Sequence, residues 1–263
     1  YGGATSPIQL NNGKNLSFAF NGTISDVMED YRFSGGMKPG VNFSDNEYYF
    51  SFQNYRKRLD WGAIYYRAAN SNYNVFVNGV GIYAAKLTTN LYQANVAYPF
   101  DIIRSVRLSA AYRIDRFVVL SKDALSLSLP DNLRKYVTTR IEYVYDNTVN
   151  PAQNIWHGLK YKPYMEVIAQ VNKEAGEKRQ FTFNFGFDAR HYLPIYRNFI
   201  WAVRVAGDAS WGNQKILYYL GGVDGWLQPK FNDANMPAQD QTYAYQTLAV
   251  NMRGFRQNVA NGN

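Results

Sequence analysis

The chain has 263 residues and a net charge of +8, with 28 Lys and Arg against 20 Asp and Glu, and 17% of its residues are aromatic. So many aromatic side chains could not stay solvated, which excludes intrinsic disorder, and the lack of cysteine excludes disulfide frameworks, thiol catalysis and cysteine-held metals. No apolar run approaches the roughly 18 residues of a membrane-crossing helix, and a mean hydropathy of -0.40 is too polar for a helical membrane protein.

The dominant signal along the chain has period two, which sends alternate side chains to opposite faces of a strand. Leu16, Phe18 and Phe20 alternate with Ser17, Ala19 and Asn21. Tyr31, Phe33 and Met37 oppose Arg32, Ser34 and Lys38, and Tyr48, Phe50 and Phe52 oppose Glu47, Tyr49, Ser51 and Gln53. Leu59, Trp61, Ala63 and Tyr65 follow, then an extra strand near Val75–Lys86, then Tyr92, Ala94, Val96 and Tyr98. Ala110, Tyr112 and Ile114 face away from Arg113 and Asp115. Val137, Thr139, Ile141, Tyr143 and Tyr145 alternate with Thr138, Arg140 and Glu142, and Met165, Val167 and Ala169 with Glu166 and Gln170. Phe181-Thr182-Phe183-Asn184-Phe185-Gly186-Phe187 is the clearest case, and Trp201, Val203 and Val205 repeat it against Arg204 and Asp208. These segments predict about ten strands of roughly 8–12 residues and no helix.

Connections are expected to be tight at Phe43–Asn46 and Leu193–Asn198, and long and polar at Ala68–Val75, Phe117–Arg134 and Asp146–Trp156. Residues 212–263 are expected to form one long loop. Alternating short and long connections suit an antiparallel meander whose two rims face different compartments. A soluble sandwich also alternates apolar and polar residues. It does not explain strands this long, a polar face carrying ions of both signs, or apolar faces ending in Tyr31, Tyr48, Trp61, Tyr98, Tyr145 and Trp201. A lipid-facing apolar band with aromatic girdles around a charged lumen explains all three. The pattern therefore predicts an all-β fold, an antiparallel transmembrane β-barrel with Arg113, Asp115, Arg140, Glu142, Arg204 and Asp208 among its lumen charges. The start at Tyr1 and the loop-like end at Asn263 are expected to be cuts in a longer protein.

Little in the sequence points to covalent chemistry. His157 and His191 stand alone, with no carboxylate or second histidine at a ligand spacing, and are expected as rim residues. Asp45-Asn46-Glu47 and Asn232-Asp233 offer oxygens but no complete calcium loop, so both are expected as turns. Gly221-Gly222-Val223-Asp224-Gly225 lacks the strand–helix unit of a phosphate loop. The positive charge is spread along the chain with no basic helix, which suits lipid phosphates or lipopolysaccharide better than nucleic acid. No enzyme, metal or cofactor is expected.

The end of the chain carries its most specific feature. A strand over Trp201–Asp208 precedes Gly221-Gly222, and Met252-Arg253-Gly254-Phe255 follows. This resembles the sixth extracellular loop of the BamA/TamA/FhaC superfamily of outer-membrane insertases and secretion pores, whose loop motif is an aliphatic residue, Arg, Gly and an aromatic. The stretch Gly221–Trp226 with Pro229–Asn232, the early run Ile24–Tyr31 and Arg58–Gly62 are similar to the branch whose barrel follows a β-propeller of WD40-like repeats. The resemblance implies a sixteen-stranded barrel of which this chain holds about the first ten or eleven strands and the sixth loop. The loop would fold into the lumen, where Arg253 meets a carboxylate on a later strand, Gly254 permits a close backbone approach and Phe255 packs on the wall. The last strands and an N-terminal periplasmic module would lie outside the chain.

The same resemblance implies a location in the outer membrane of a Gram-negative bacterium and a non-enzymatic part in inserting outer-membrane proteins or translocating polypeptides. Partners would be outer-membrane lipid, unfolded outer-membrane or secreted polypeptides, and other subunits of an outer-membrane complex. The alternative is an accessory or structural barrel, or a passive pore, in another outer-membrane machine.

Overall fold

A computed structural model describes residues 8–11, 15–18, 20–39, 45–77, 81–120, 129–153, 155–173, 178–197, 199–222, 243–252, 255 and 260–262. All the regular structure among them is β. A short pair, β1 (Ile8–Asn11) and β2 (Asn15–Phe18), forms its own antiparallel ladder. The main sheet is built from β3 (Phe20–Ser25), β4 (Tyr31–Pro39), β5 (Asn46–Asn54), β6 (Asp60–Val77), β7 (Gly81–Pro99), β8 (Arg104–Val119) and β9 (Asn132–Asp146), then β10 (Val149–Ala152), β11 (Ile155–Gln170), β12 (Phe181–Tyr196) and β13 (Phe199–Gly212). Each strand pairs with its neighbour in sequence, except that the short β10 pairs beside β11, and β9 and β11 lie next to each other. The sheet is an open meander ending in β3 and β13, with no pairing between those two among the described residues. A second, three-stranded sheet holds β14 (Lys215–Gly221) between β15 (Tyr243–Asn251), parallel to it, and β16 (Ala260–Gly262), antiparallel.

The expected alternation lands on strands, with several departures. β10 and the start of β11 fall within the expected connection Asp146–Trp156, β12 runs on through Leu193–Tyr196, and Asn46 and Glu47, expected in a turn, belong to β5. The polar stretch Ala68–Val75 is not a connection: β6 runs through it, absorbing the irregularity as a register shift between Asn70 and Tyr73. The extra strand expected near Val75–Lys86 is instead shared between the end of β6 and the start of β7, which pair antiparallel with Val77 opposite Gly81. Residues 212–263 are not all loop, since β14, β15 and β16 lie within them. Strands are also longer than expected, 18 residues in β6 and 19 in β7.

The chain divides into two compact units. One comprises Tyr1–Tyr98, Ser109–Thr138 and Gln170–Glu177; the other Pro99–Leu108, Thr139–Ala169 and Lys178–Asn263. In the first unit, Phe33 packs between Phe50 and Phe52, and Phe52 meets the edge of Trp61, all along one face of β4, β5 and β6. These rings contact one another, yet Phe33, Phe50 and Trp61 stay exposed. In the second unit the sidedness is sharper. Along β12, Thr182 and Asn184 are each 2% exposed, while Phe181 and Phe185 are 46% and 41% exposed. On β13, Ser210 is buried, while Trp201, Val205 and Trp211 face outward. A water-soluble sheet would bury the aromatics and expose the amides. Here the arrangement is reversed.

Two turns are closed by side chains. Asp26 accepts a hydrogen bond from the Asp30 amide at 2.9 Å. Asp101 accepts from the amides of Ile103 and Arg104 at 3.0 and 2.7 Å and pairs with the Arg104 guanidinium at 2.5 Å. That guanidinium, helped by the amides, holds the Asp101 carboxyl below the usual carboxylate range.

One glycine fixes the packing of the polar face in the second unit. Gly186 lies between Tyr164 on β11 and Asp208 on β13, paired with both. A Cβ at Gly186 would collide with the Tyr164 ring and the Asp208 carboxylate, so the absence of a side chain lets the ring lie across the strand. Tyr49 and Gly36 repeat the arrangement between β5 and β4. Gly186→Ala should therefore lower the thermal unfolding midpoint in detergent, at a cost of about 1–3 kcal/mol for overpacking. Gly207→Ala, one position from Asp208 but with open space around it, should change stability by no more than about 0.5 kcal/mol. Equal effects of the two substitutions would overturn this account.

Candidate functional site

The expected charged residues of the polar face form two separate clusters. On β8, Arg113 pairs with Asp115 at 2.9 Å and stacks over the Tyr136 ring at 4.7 Å, while the Thr89 hydroxyl donates to Asp115 at 2.9 Å. The larger cluster belongs to the second unit and spans β9, β11, β12 and β13. Arg140 pairs with Glu142 at 2.6 Å, approaches Glu166 at 4.0 Å and lies 3.8 Å above the Tyr164 ring. Lys162 reaches Glu142 at 4.0 Å. The Tyr164 hydroxyl donates a short hydrogen bond to Asp208. Arg204 pairs with Asp188 at 2.9 Å, and Arg190 with the same carboxylate at 3.2 Å.

Register orders these groups along the strands. Glu166, Asn184 and Ser210 form one cross-strand row, and Tyr164, Gly186 and Asp208 the next. Lys162, Asp188 and Ala206 follow, then Lys160, Arg190 and Arg204. The carboxylates Glu166 and Asp208 stand at one end of this series and the row of three cations at the other.

β14 lies over the end that holds Glu166, Asn184 and Ser210. The Tyr218 hydroxyl donates to Asn184 Oδ1 at 2.7 Å, and Asn184 Nδ2 in turn donates to Glu166 at 3.5 Å. The Ile216 amide donates to Ser210 Oγ at 2.9 Å, and the Thr182 hydroxyl to the Gln214 carbonyl. Ile216 and Leu217 are buried. The chain enters β14 through Gly212, whose φ of 126° belongs to glycine and at which a Cβ would strike the Phe181 carbonyl. This strand is what buries Thr182, Asn184 and Ser210: polar groups of β14 satisfy polar groups of the sheet.

Beyond β14, the four described members of the proposed loop motif come together. The Met252 amide donates to the Gly221 carbonyl at 2.7 Å, and the Phe255 amide to the Met252 carbonyl at 3.4 Å. Gly221 and Gly222 are buried. A Cβ on Gly222 would sit 2.5 Å from the Phe255 carbonyl oxygen and closer still to that of Met252. Residues far apart in sequence, Gly221-Gly222 and Met252 with Phe255, are thus in backbone contact. Arg253 and Gly254 lie outside the described residues, so the carboxylate expected to meet Arg253 has no assignment. The Phe255 side chain is 47% exposed, whereas the resemblance implies an aromatic packed on the wall.

The remaining candidates separate from one another. Asp45 accepts from the Ser71 amide and hydroxyl, and Glu47 accepts from the Tyr66 hydroxyl, so both serve the β5–β6 pairing. Asn232-Asp233 lie outside the described residues. No hydrogen bond or ion pair joins His157 or His191 to a carboxylate among the described residues, and no three His, Asp or Glu there are placed to share a metal ion. Sequence reasoning missed Tyr164, Asp188, Arg190, Asn184, Ser210 and Tyr218 as working members of the polar face. All but Tyr218 were findable, since they fall at the same strand parity as the charges that were picked out.

No family model and no curated protein matches the chain.

Two substitutions separate the contacts that hold β14 and the segment after it. Gly222→Ala should force Met252–Phe255 away from β14 and expose bonds after Gly222 to limited proteolysis, with β14 itself still in place. Tyr218→Phe should loosen β14 by about 1–3 kcal/mol, because Asn184 keeps its burial and loses its donor. A cleavage pattern unchanged in Gly222→Ala would show that the close approach carries no constraint.

Proposed function

We propose that this chain is part of an outer-membrane β-barrel that inserts outer-membrane proteins or passes polypeptides across the membrane, without covalent chemistry. The observation that carries the reading is the strand-bearing segment after β13. It lies on the polar face of β12 and β13, and Gly221-Gly222 meets Met252 and Phe255 across its far end. This arrangement supports the inward fold-back that the resemblance to the BamA/TamA/FhaC superfamily implies for the loop bearing Arg253.

The membrane part of the reading draws on the reversed sidedness. Aromatic and aliphatic side chains remain exposed along strand after strand, while ion pairs and amides occupy the opposite face. In water that surface would be an aggregation hazard. In a bilayer it would meet hydrocarbon, and a tilted strand needs only about 9–11 residues to cross. The 18 and 19 residues of β6 and β7 would therefore project beyond the lipid. The open edges at β3 and β13 cannot face hydrocarbon, because each unpaired backbone group there costs several kcal/mol. Further strands would close the wall, as the sixteen-stranded family barrel requires.

Two measurements test the two halves. In vesicles of brominated phospholipid, tryptophan emission should be quenched, and replacing Trp61, Trp201 and Trp211 by Phe should remove most of that quenching; unquenched emission would sink the membrane assignment. In cells, depletion should lower the levels of many outer-membrane barrels together. Arg253→Ala should fail to restore them, and Arg253→Lys should restore them in part, because an ammonium lacks the guanidinium's two-pronged geometry. Loss of a single complex on depletion would instead support an accessory subunit.

A further inference from the structure

The row Lys160–Arg190–Arg204 is unfavourable as pure structure. The three residues stand directly opposite one another on adjacent strands and share the polar face, where facing like charges repel. Together with the neighbouring row of Lys162, Asp188 and Ala206 they make four cations against one carboxylate. Asp188 binds both guanidiniums, and Lys162 turns to Glu142. Lys160 has no carboxylate within ion-pair distance among the described residues. Its ammonium instead lies 5.3 Å from the Trp156 ring and 5.9 Å from the Tyr192 ring, contacts that hold a cation without neutralising it. The Arg190 and Arg204 side chains are 39% and 44% exposed, so a ligand can reach them.

We propose that this row is a docking site for an extended, acidic polypeptide segment. Strand spacing of about 4.8 Å spreads the three cations over about 10 Å. An extended chain places side chains of one face about 6.8 Å apart, so two acidic residues at i and i+2 fall within reach of the row, and a compact anion engages only part of it. Trp156 and Tyr192 add an apolar flank for the peptide's stems. The site lies three rows from the one at which β14 contacts Asn184 and Ser210, so it does not compete with that strand. It rests on the polypeptide-handling reading only for the origin of the segment.

The test uses the full chain in detergent micelles and a fluorescent peptide of alternating Glu and Ser, about ten residues long, followed by anisotropy. The Glu peptide should bind with an affinity that falls as salt rises, and an otherwise identical Gln peptide should not bind. Lys160→Gln and Arg190→Gln should each weaken binding about fivefold; both leave Asp188 paired with Arg204. Should Arg190→Gln fail to fold, Lys160→Gln, which breaks no ion pair, decides alone. Equal binding of the Gln peptide, unchanged affinity in the folded variants, or tighter binding of tripolyphosphate than of the Glu peptide would each overturn the proposal. Because binding is measured on isolated protein, a chain that binds the peptide yet plays no part in barrel assembly would keep this site and lose the proposed function.

Discussion

Everything in this protein depends on a two-residue period held in register across many strands. A slip by one residue would turn a whole strand inside out, and on β12 that would exchange Phe181 and Phe185 for Thr182 and Asn184. The exchange is opposed from both sides. The Asn184 side chain bonds Glu166 on β11 and Tyr218 on β14, Thr182 bonds the Gln214 carbonyl just before β14, and Gly186 is tolerated only where Tyr164 can cover it. Aromatic side chains such as Phe181 and Phe185 do less to choose the register, because they stay exposed. In this chain the polar face specifies the pairing, and the apolar face specifies the solvent.

That division explains why the ion pairs matter although each is weak. Partly exposed pairs such as Arg204–Asp188 are worth about 0.2–1 kcal/mol singly. Their value here is positional. Arg140 is held by Glu142, Glu166 and the Tyr164 ring at once, and Tyr164 is held by Asp208 and by the vacant space above Gly186. A shift of β11 against β12 would break several of these together, so the network resists sliding more than any single bond suggests.

The alternation was legible because period two needs no tertiary knowledge, and it located nearly every strand of the main sheet. Where it failed, the cause is local. Ala68–Val75 contains three Asn and a Ser, residues that favour turns, but β5 pairs with its first residues and β7 with most of the rest, supplying the ladder that keeps it extended. β14 was missed for a different reason. Ile216-Leu217 are buried against the sheet, but Tyr218 and Tyr219 are only partly so, which leaves no alternation to read. The contact of Gly222 with Met252 and Phe255 could not come from periodicity at all. The likeness of Gly221-Gly222 and Met252–Phe255 to a known loop implies an inward fold of the segment, but not this contact. Asp188 and Arg190 were within reach: extending the Phe181–Phe187 alternation by two steps places both on the charged face.

The charge order along β11, β12 and β13 links the two ends of the polar face. Carboxylates gather where β14 crosses, and there each has a neutral or cationic partner: Asp208 has Tyr164, and Glu166 has Arg140 and Asn184. Cations gather at the other end, where Asp188 serves both Arg190 and Arg204. If the row served stability alone, an acid at position 160 would do better than Lys160, since it would pair with Arg190 directly across the ladder. The sequence instead places a lysine there and holds it between two aromatic rings. A cation kept accessible beside two others, at a cost to the sheet, is the expected mark of a group meant for something other than its neighbours.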